Sequence, residues 1–197
     1  NIEAVDFSLT NHGAITLGGN STGLTTILGG DGSDSMTATT SFGDRAITLD
    51  GGAGDDRFAF SSLAQMQAAS LFGGDGDDSL AFTASNITLV DANFDVIQNS
   101  QLEVLELTGA NNGATLGSNV ETAGIATIVG GTDNGTIDAR GYSSGITIDV
   151  SRNRVVDGAP NTENTVIGGD GEDRIIFSNH NVLASSNVDG GKGIDTL

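Results

Sequence analysis

The sequence has no cysteine, no tryptophan, one proline and only 7 Lys plus Arg among 197 residues. Without cysteine there are no disulfides, no thiolate zinc sites, no iron–sulfur cluster and no Cys nucleophile. That absence does not argue against export, since many bacterial exported proteins avoid Cys. The scarcity of basic residues leaves 26 Asp plus Glu unopposed, a formal net charge of −19. Such a charge opposes contact with phosphate backbones, so no nucleic-acid partner is expected. No apolar run approaches the ~18 residues of a membrane helix, so no membrane insertion is expected either. Apolar residues make up 37% and aromatics 5%. That composition suits either disorder or a fold with a narrow column of Val, Ile, Leu and Phe, in which something cancels the acid.

Glycine is plentiful, with 30 residues, and its placement is periodic. Double glycines stand at Gly29-Gly30, Gly51-Gly52, Gly73-Gly74, Gly168-Gly169 and Gly190-Gly191. The step from 29 to 51 is the same as those from 51 to 73 and from 168 to 190. Apolar, β-branched segments keep a similar beat at Thr26–Leu28, Ile47–Leu49, Ser70–Phe72, Val104–Thr108, Ile125–Val129, Ile146–Val150 and Thr165–Ile167. A period near 20 residues with β-branched runs and turn glycines predicts an all-β, right-handed parallel β-solenoid of about nine coils of about 20–22 residues each. A single stretch with good helix formers, Leu63 to Ala69, predicts a short helical turn. A longer repeat lies over the short one. Ile2–Phe7 matches Leu102–Leu107, and Ser70–Asp78 matches Thr165–Asp173. Residues 1–100 and 101–197 are thus expected to be two repeat units of one continuous rod, cut from a longer chain.

Each glycine pair opens a longer motif, G-G-x-G-x-D. The five copies are Gly29-Gly30-Asp31-Gly32-Ser33-Asp34, Gly51-Gly52-Ala53-Gly54-Asp55-Asp56, Gly73-Gly74-Asp75-Gly76-Asp77-Asp78, Gly168-Gly169-Asp170-Gly171-Glu172-Asp173 and Gly190-Gly191-Lys192-Gly193-Ile194-Asp195. An apolar residue follows at the eighth position (Met36, Phe58, Leu80, Ile175 and Leu197) and is expected to anchor the next strand in the core. Glycines allow positive φ, so the backbone can curl and turn carbonyl oxygens inward. Calcium wants six to eight oxygen ligands at about 2.3–2.6 Å. Glycine-loop carbonyls and the sixth-position carboxylate supply part of that shell, and a loop one period away can complete it. Plain β-turns would account for the glycines but not for an acid at the sixth position of every copy.

These motifs resemble the RTX repeats, the hemolysin-type calcium-binding nonapeptides of bacterial secreted and surface proteins. The resemblance implies calcium between loops of neighbouring coils, several ions in all. Asp34, Asp56, Asp78, Asp173 and Asp195 would be carboxylate ligands, and the Gly-Gly-x-Gly segments would be carbonyl donors. The third-position residues Asp31, Asp75 and Asp170 would act through their carbonyls, while Asp55 and Asp77 would be solvated. Typical arrays carry two nonapeptides per coil. Here one motif occurs per period, so one dominant row is expected, in two groups at 29/51/73 and 168/190, with little metal in between. Gly130–Gly135 reads as a decayed loop, and at 151–156 the motif is gone. The longer unit is also similar to repeats in calcium-dependent bacterial surface-layer proteins, where such a loop precedes a strand like Leu102–Leu107.

The function expected from these features is structural and not enzymatic. The chain would be a calcium-binding segment of an extracellular, surface-layer-like protein, exported by a type I-like route, that folds and assembles as calcium binds. Its partners would be copies of itself or adjacent domains of the parent chain, bridged by calcium. About five calcium ions would add about +10 and halve the charge. The alternative is a non-catalytic module of a secreted adhesin or enzyme. His12 and His180 are expected as surface turn residues, and no G-x-S-x-G or HExxH motif is present. Phe58, Phe60, Phe72, Phe82 and Phe177 are expected to form a core stack.

Overall fold

The computed structural model describes residues 3–7, 13–18, 23–40, 42, 46–97, 100–132, 135–152, 164–178 and 180–197. The chain is mostly β, and every strand pair among the described residues is parallel. Strands are numbered in chain order. β1 (Ala4–Asp6), β3 (Thr26–Gly30), β5 (Ile47–Ala53) and β7 (Ala69–Asp75) form a four-stranded sheet. An eight-stranded sheet joins β2 (Ala14–Leu17), β4 (Ser35–Ala38), β6 (Arg57–Phe60), β8 (Ser79–Phe82), β10 (Val104–Leu107), β12 (Thr127–Val129), β14 (Thr147–Asp149) and β16 (Arg174–Ile176). A five-stranded sheet holds β9 (Thr88–Val90), β11 (Gly113–Thr115), β13 (Thr136–Asp138), β15 (Thr165–Ile167) and β17 (Asn187–Asp189). Neighbours within each sheet are therefore two strands apart in the chain, and no strand pairs with its immediate successor. Parallel neighbours require this, because a crossover must carry the chain back before the next pairing.

The register explains why the period is legible. Thr26 pairs with Thr48 and Thr48 with Ser70, and Thr165 pairs with Asn187. Along the eight-stranded sheet one inward column runs Ile15, Met36, Phe58, Leu80, Leu105, Ile128, Ile148, Ile175. All of these except Ile15 are buried. They meet Ile27, Leu49 and Leu71 from the four-stranded sheet and Leu89, Ala114, Ile137 and Val166 from the five-stranded sheet in one apolar cluster. Side chains alternate in and out along each strand, so a one-sided core needs only every second residue to be apolar. Each of the seven apolar segments named above contains a strand or lies within one, and the eighth-position residues Met36, Phe58, Leu80 and Ile175 are buried. Leu197, the fifth of these, is exposed.

The helical turn appears as α1 (Leu63–Gln67). Ser62 caps it, accepting from the Gln65 N–H, and the Gln65 side chain accepts from the Ser62 N–H at 3.0 Å. That reciprocal arrangement is a capping box and defines the helix start. Three further short helical pieces have no such signal: a 3-10 turn at Asp91–Ile97, α2 (Ser118–Thr122) and α3 (His180–Ala184). Asp91 stands in for a cap on α2 from elsewhere in the chain, accepting from the N–H groups of Gly117, Asn119 and Val120.

Several expectations about side chains need correction. Phe72 is 45% exposed. It pairs with Asp50 on the outward parity of β7, between inward Leu71 and Gly73, so it does not join the stack of Phe58, Phe60 and Phe82. Phe177 is only partly buried, at the edge of the core. His180 is exposed but begins α3 and does not lie in a turn, while His12 lies outside the described residues. The matched segments Ala4–Asp6 and Val104–Leu107 occupy different sheets.

Candidate metal centre

The residue just before each strand of the eight-stranded sheet is where the motif ends. Asp34, Asp56, Asp78 and Asp173 directly precede β4, β6, β8 and β16, and Asp195 precedes Thr196, which bridges Arg174. The equivalent residues before β2, β10, β12 and β14 are Gly13, Glu103, Ala126 and Ile146. The parallel register stacks these positions, so acids placed one period apart in sequence become vertical neighbours. The first three loops come together in one group and the last two in another.

Within the first group the carboxylates are linked by backbone hydrogen bonds. The Asp34 N–H donates to Asp56 Oδ1 at 2.7 Å, and the Asp56 N–H donates to Asp78 Oδ1 at 2.7 Å. The Asp78 N–H donates to Glu103 Oε2 at 2.8 Å. Asp34, Asp56 and Asp78 are 3%, 2% and 0% exposed. Both carboxylate oxygens of Asp34, and Oδ2 of Asp56 and Asp78, are buried with no hydrogen-bond partner. Leaving a buried charged oxygen unpaired is costly, and a buried carboxylate without a cation or donor tends to neutralise. The Asp56 and Asp78 carboxyls respond in this way. Burial, together with repulsion from adjacent acids, pushes each up to about 6.

Backbone carbonyls crowd the same space. A Cβ on Gly29 would overlap Asp34 Oδ2 and the Gly51 carbonyl oxygen. One on Gly51 would overlap Asp56 Oδ2 and the Gly73 oxygen, and one on Gly73 would overlap Asp78 Oδ2 and the Gln101 oxygen. The first glycine of each motif is thus required by close approach: it leaves a small oxygen-lined cradle between one loop and the next. The donor set is carboxylate and carbonyl oxygen only, which suits a hard cation of the calcium class and not zinc or copper. Among the described residues no three His, Cys, Asp or Glu side chains gather as a metal-binding group. A site here would depend on main-chain oxygens to complete its shell.

The second group differs in detail. A Cβ on Gly168 would overlap Asp173 Oδ2 and the Gly190 oxygen, the same cradle. Yet Asp173 is fully partnered: Oδ1 accepts from the Ile146 N–H at 2.9 Å and Oδ2 from the Gly169 N–H at 2.6 Å. The Asp173 N–H donates to Asp195 Oδ1 at 3.0 Å, and Asp195 is exposed. The third-position residues Asp31, Asp75, Asp170 and Lys192 are exposed and Ala53 is half-buried. Lys192 pairs with Asp170 at 2.7 Å, so these two side chains neutralise each other across adjacent loops. Asp55 and Asp77 are exposed, although Asp55 Oδ1 accepts from the Asp77 N–H.

Positive φ is used unevenly. Gly52, Gly54, Gly74, Gly76, Gly191 and Gly193 adopt it, while Gly30, Gly32, Gly169 and Gly171 do not. The two loops without it, 29–34 and 168–173, are the first of their groups and have no motif loop on the preceding side. The expected curl at every copy therefore holds for three of the five loops. Of the decayed loop, Gly130 and Gly131 are described and carry no acid, while Asp133 and Asn134 lie outside the described residues, as does most of 151–156.

Glu103 is the participant that motif reading missed. It belongs to no glycine loop, and its signal was positional: an acid directly before an apolar strand, in step with Asp34, Asp56 and Asp78. Comparison with known proteins returns no match, whether with family models, curated proteins or solved structures.

Proposed function

We propose that the chain is a calcium-dependent structural module: a right-handed parallel β-solenoid of about nine coils, with an RTX-like row of cations between successive G-G-x-G-x-D loops. The observation that carries this reading is the set of buried carboxylate oxygens without partners, Asp34 Oδ1 and Oδ2, Asp56 Oδ2 and Asp78 Oδ2, of which the three Oδ2 atoms lie with the Gly51, Gly73 and Gln101 carbonyls against the first-position glycines. Calcium supplies the positive charge these oxygens lack. The N–H groups of Asp34 and Asp56 hold Oδ1 of Asp56 and Asp78, which leaves Oδ2 of Asp56 and Asp78 for the cation.

The context that fits is extracellular, in a bacterial surface-layer-like protein. Where free calcium is scarce, a net charge of −19 loosens the acidic coils and keeps the chain exportable. Where calcium is millimolar, ion binding and folding become one equilibrium. Exposed acids such as Asp31, Asp75 and Asp77 remain available to bridge neighbouring copies through further calcium. The test is a calcium titration of the EGTA-stripped chain followed by far-UV circular dichroism, with light scattering in parallel. A marked gain of β signal at millimolar calcium over a partly ordered metal-free chain, with magnesium ineffective, is expected, and scattering that rises over the same range supports assembly. A folded chain indifferent to calcium overturns the reading.

A further inference from the structure

We propose a cation site at the C-terminal end of the first acidic group that no glycine motif closes: it lies between loop 73–78 and the segment Ser100–Glu103. This rests on the calcium reading above and extends it to residues outside the G-G-x-G-x-D pattern. Two successive cradles are built alike. Between loops 51–56 and 73–78, the cradle at Gly51 is lined by Asp56 Oδ2 and the Gly73 carbonyl, and the Asp56 N–H is held by the next carboxylate, Asp78. One step further, the cradle at Gly73 is lined by Asp78 Oδ2 and the Gln101 carbonyl, and the Asp78 N–H is held by Glu103. Gln101 thus takes the place of a first-position glycine and Glu103 that of a sixth-position aspartate.

Three independent features support the assignment. Asp78 is fully buried, and its Oδ2 is unpartnered and directed into this cradle. The Gly73 N–H donates to the Ser100 oxygen at 2.7 Å, which fixes the new segment against the loop. Gln101 has φ of 54°, one of three non-glycine residues with positive φ among the described residues. A left-handed residue without glycine's freedom is disfavoured, and here it accompanies the carbonyl that faces Asp78. Asp78 Oδ2 lines the cradle, and Glu103, held on the Asp78 N–H, brings a second negative charge beside it. The ligand is a hard divalent cation taking oxygen donors, which is the chemistry of calcium.

The test is native mass spectrometry of the intact chain at the calcium concentration that just saturates it, comparing wild type with Glu103→Gln, Gln101→Gly and Asp34→Asn. Glu103→Gln keeps an amide oxygen to accept from the Asp78 N–H, and circular dichroism in calcium checks its fold. The expected result is one ion fewer for Glu103→Gln, with affinity at that site at least tenfold weaker. One ion fewer is also expected for Asp34→Asn, which reports the motif-only cradle. Gln101→Gly preserves the carbonyl and is expected to keep the full count. If Asp34→Asn loses an ion while Glu103→Gln binds as many as wild type, this site is refuted and the calcium reading survives. If wild type binds no calcium, both fall together.

Discussion

The first acidic group and the middle of the chain solve one problem in opposite ways. Both stack residues just before strands of the eight-stranded sheet. At 34, 56, 78 and 103 those residues are acids, and three of them keep buried oxygens without partners. At 126 and 146 they are Ala126 and Ile146. The middle satisfies its buried polar groups from its own chain. Tyr142 donates to the Ile125 oxygen at 2.7 Å, and burial holds its hydroxyl neutral. Asn112 accepts from the Ile87 N–H at 2.8 Å and donates to the Ala84 oxygen at 2.9 Å. At the surface of the same stretch, half-buried Glu121 is paired with the hydroxyls of Ser143 and Ser144, which against the opposing effect of burial hold it below its usual range. One backbone frame thus carries a stretch that pairs its buried polar groups and a stretch that leaves buried carboxylate oxygens without partners. The second acidic group stands between them: it has the same cradle, but both oxygens of Asp173 are already partnered.

Filling a cradle challenges this contrast most severely. Gly51→Ala places a methyl group on Asp56 Oδ2 and the Gly73 oxygen. Backbone and a buried carboxylate cannot yield cheaply, so a loss of about 3 kcal/mol is expected in calcium, together with loss of an ion. Gly130→Ala is the control in the middle: its Cβ meets Val150 Cγ1 at 3.1 Å and the Asp149 oxygen at 3.6 Å. A side chain can give way there, and the expected cost is under about 1 kcal/mol. Thermal melts of both variants in calcium check the difference.

A second pair of variants separates the two acidic groups. Asp56→Asn removes a repelling buried charge, so it is expected to raise the melting temperature in EGTA and lower it in calcium. Asp173→Asn removes an acceptor from a carboxylate whose two oxygens both accept from N–H groups. It is expected to destabilise the chain by about 1–3 kcal/mol in either buffer. If Asp56→Asn also destabilised the metal-free chain, its unpartnered oxygen would not be the liability described above.

A gentler probe is pH. The Asp56 and Asp78 carboxyls sit near 6 in the folded chain, raised by burial from about 3.8. A raised carboxyl binds its proton more tightly when folded, so metal-free stability rises as pH falls from about 6 towards 4. Calcium needs the ionised form, so its affinity falls over the same window. Melting temperatures in EGTA and in calcium, measured from about pH 7.5 to 4.5, should therefore slope in opposite directions.

Much of this arrangement is legible in the sequence because it depends on local pattern. The constant step between glycine pairs, the alternating apolar positions and an acid at a fixed offset place β3, β5, β7 and their loops. Ser62 and Gln65 mark α1 through their own capping chemistry. Features set by neighbouring strands are less readable. Phe72 faces outward because of its parity in β7, which the run Ser-Leu-Phe does not reveal. The helical segments at 91–97, 118–122 and 180–184 lack an apolar period, and α2 takes its cap from Asp91, in an earlier turn of the chain. Glu103 becomes the fourth acid of the stack only once β10 is paired with β8. The glycine conformations of loops 29–34 and 168–173 likewise depend on what lies beside them.

Segment-resolved hydrogen exchange of the intact chain, in calcium and in EGTA, probes the proposed cation at the place where it would act. Fast exchange on removal of calcium is expected first and most strongly at 29–36, 51–58 and 73–80, where the amides of Asp34, Asp56 and Asp78 are held by carboxylates of the same row. Segment 127–149 should be the last to lose protection. Equal protection of the acidic segments in both buffers would mean that the buried carboxylates need no cation, and the calcium-dependent reading would fail.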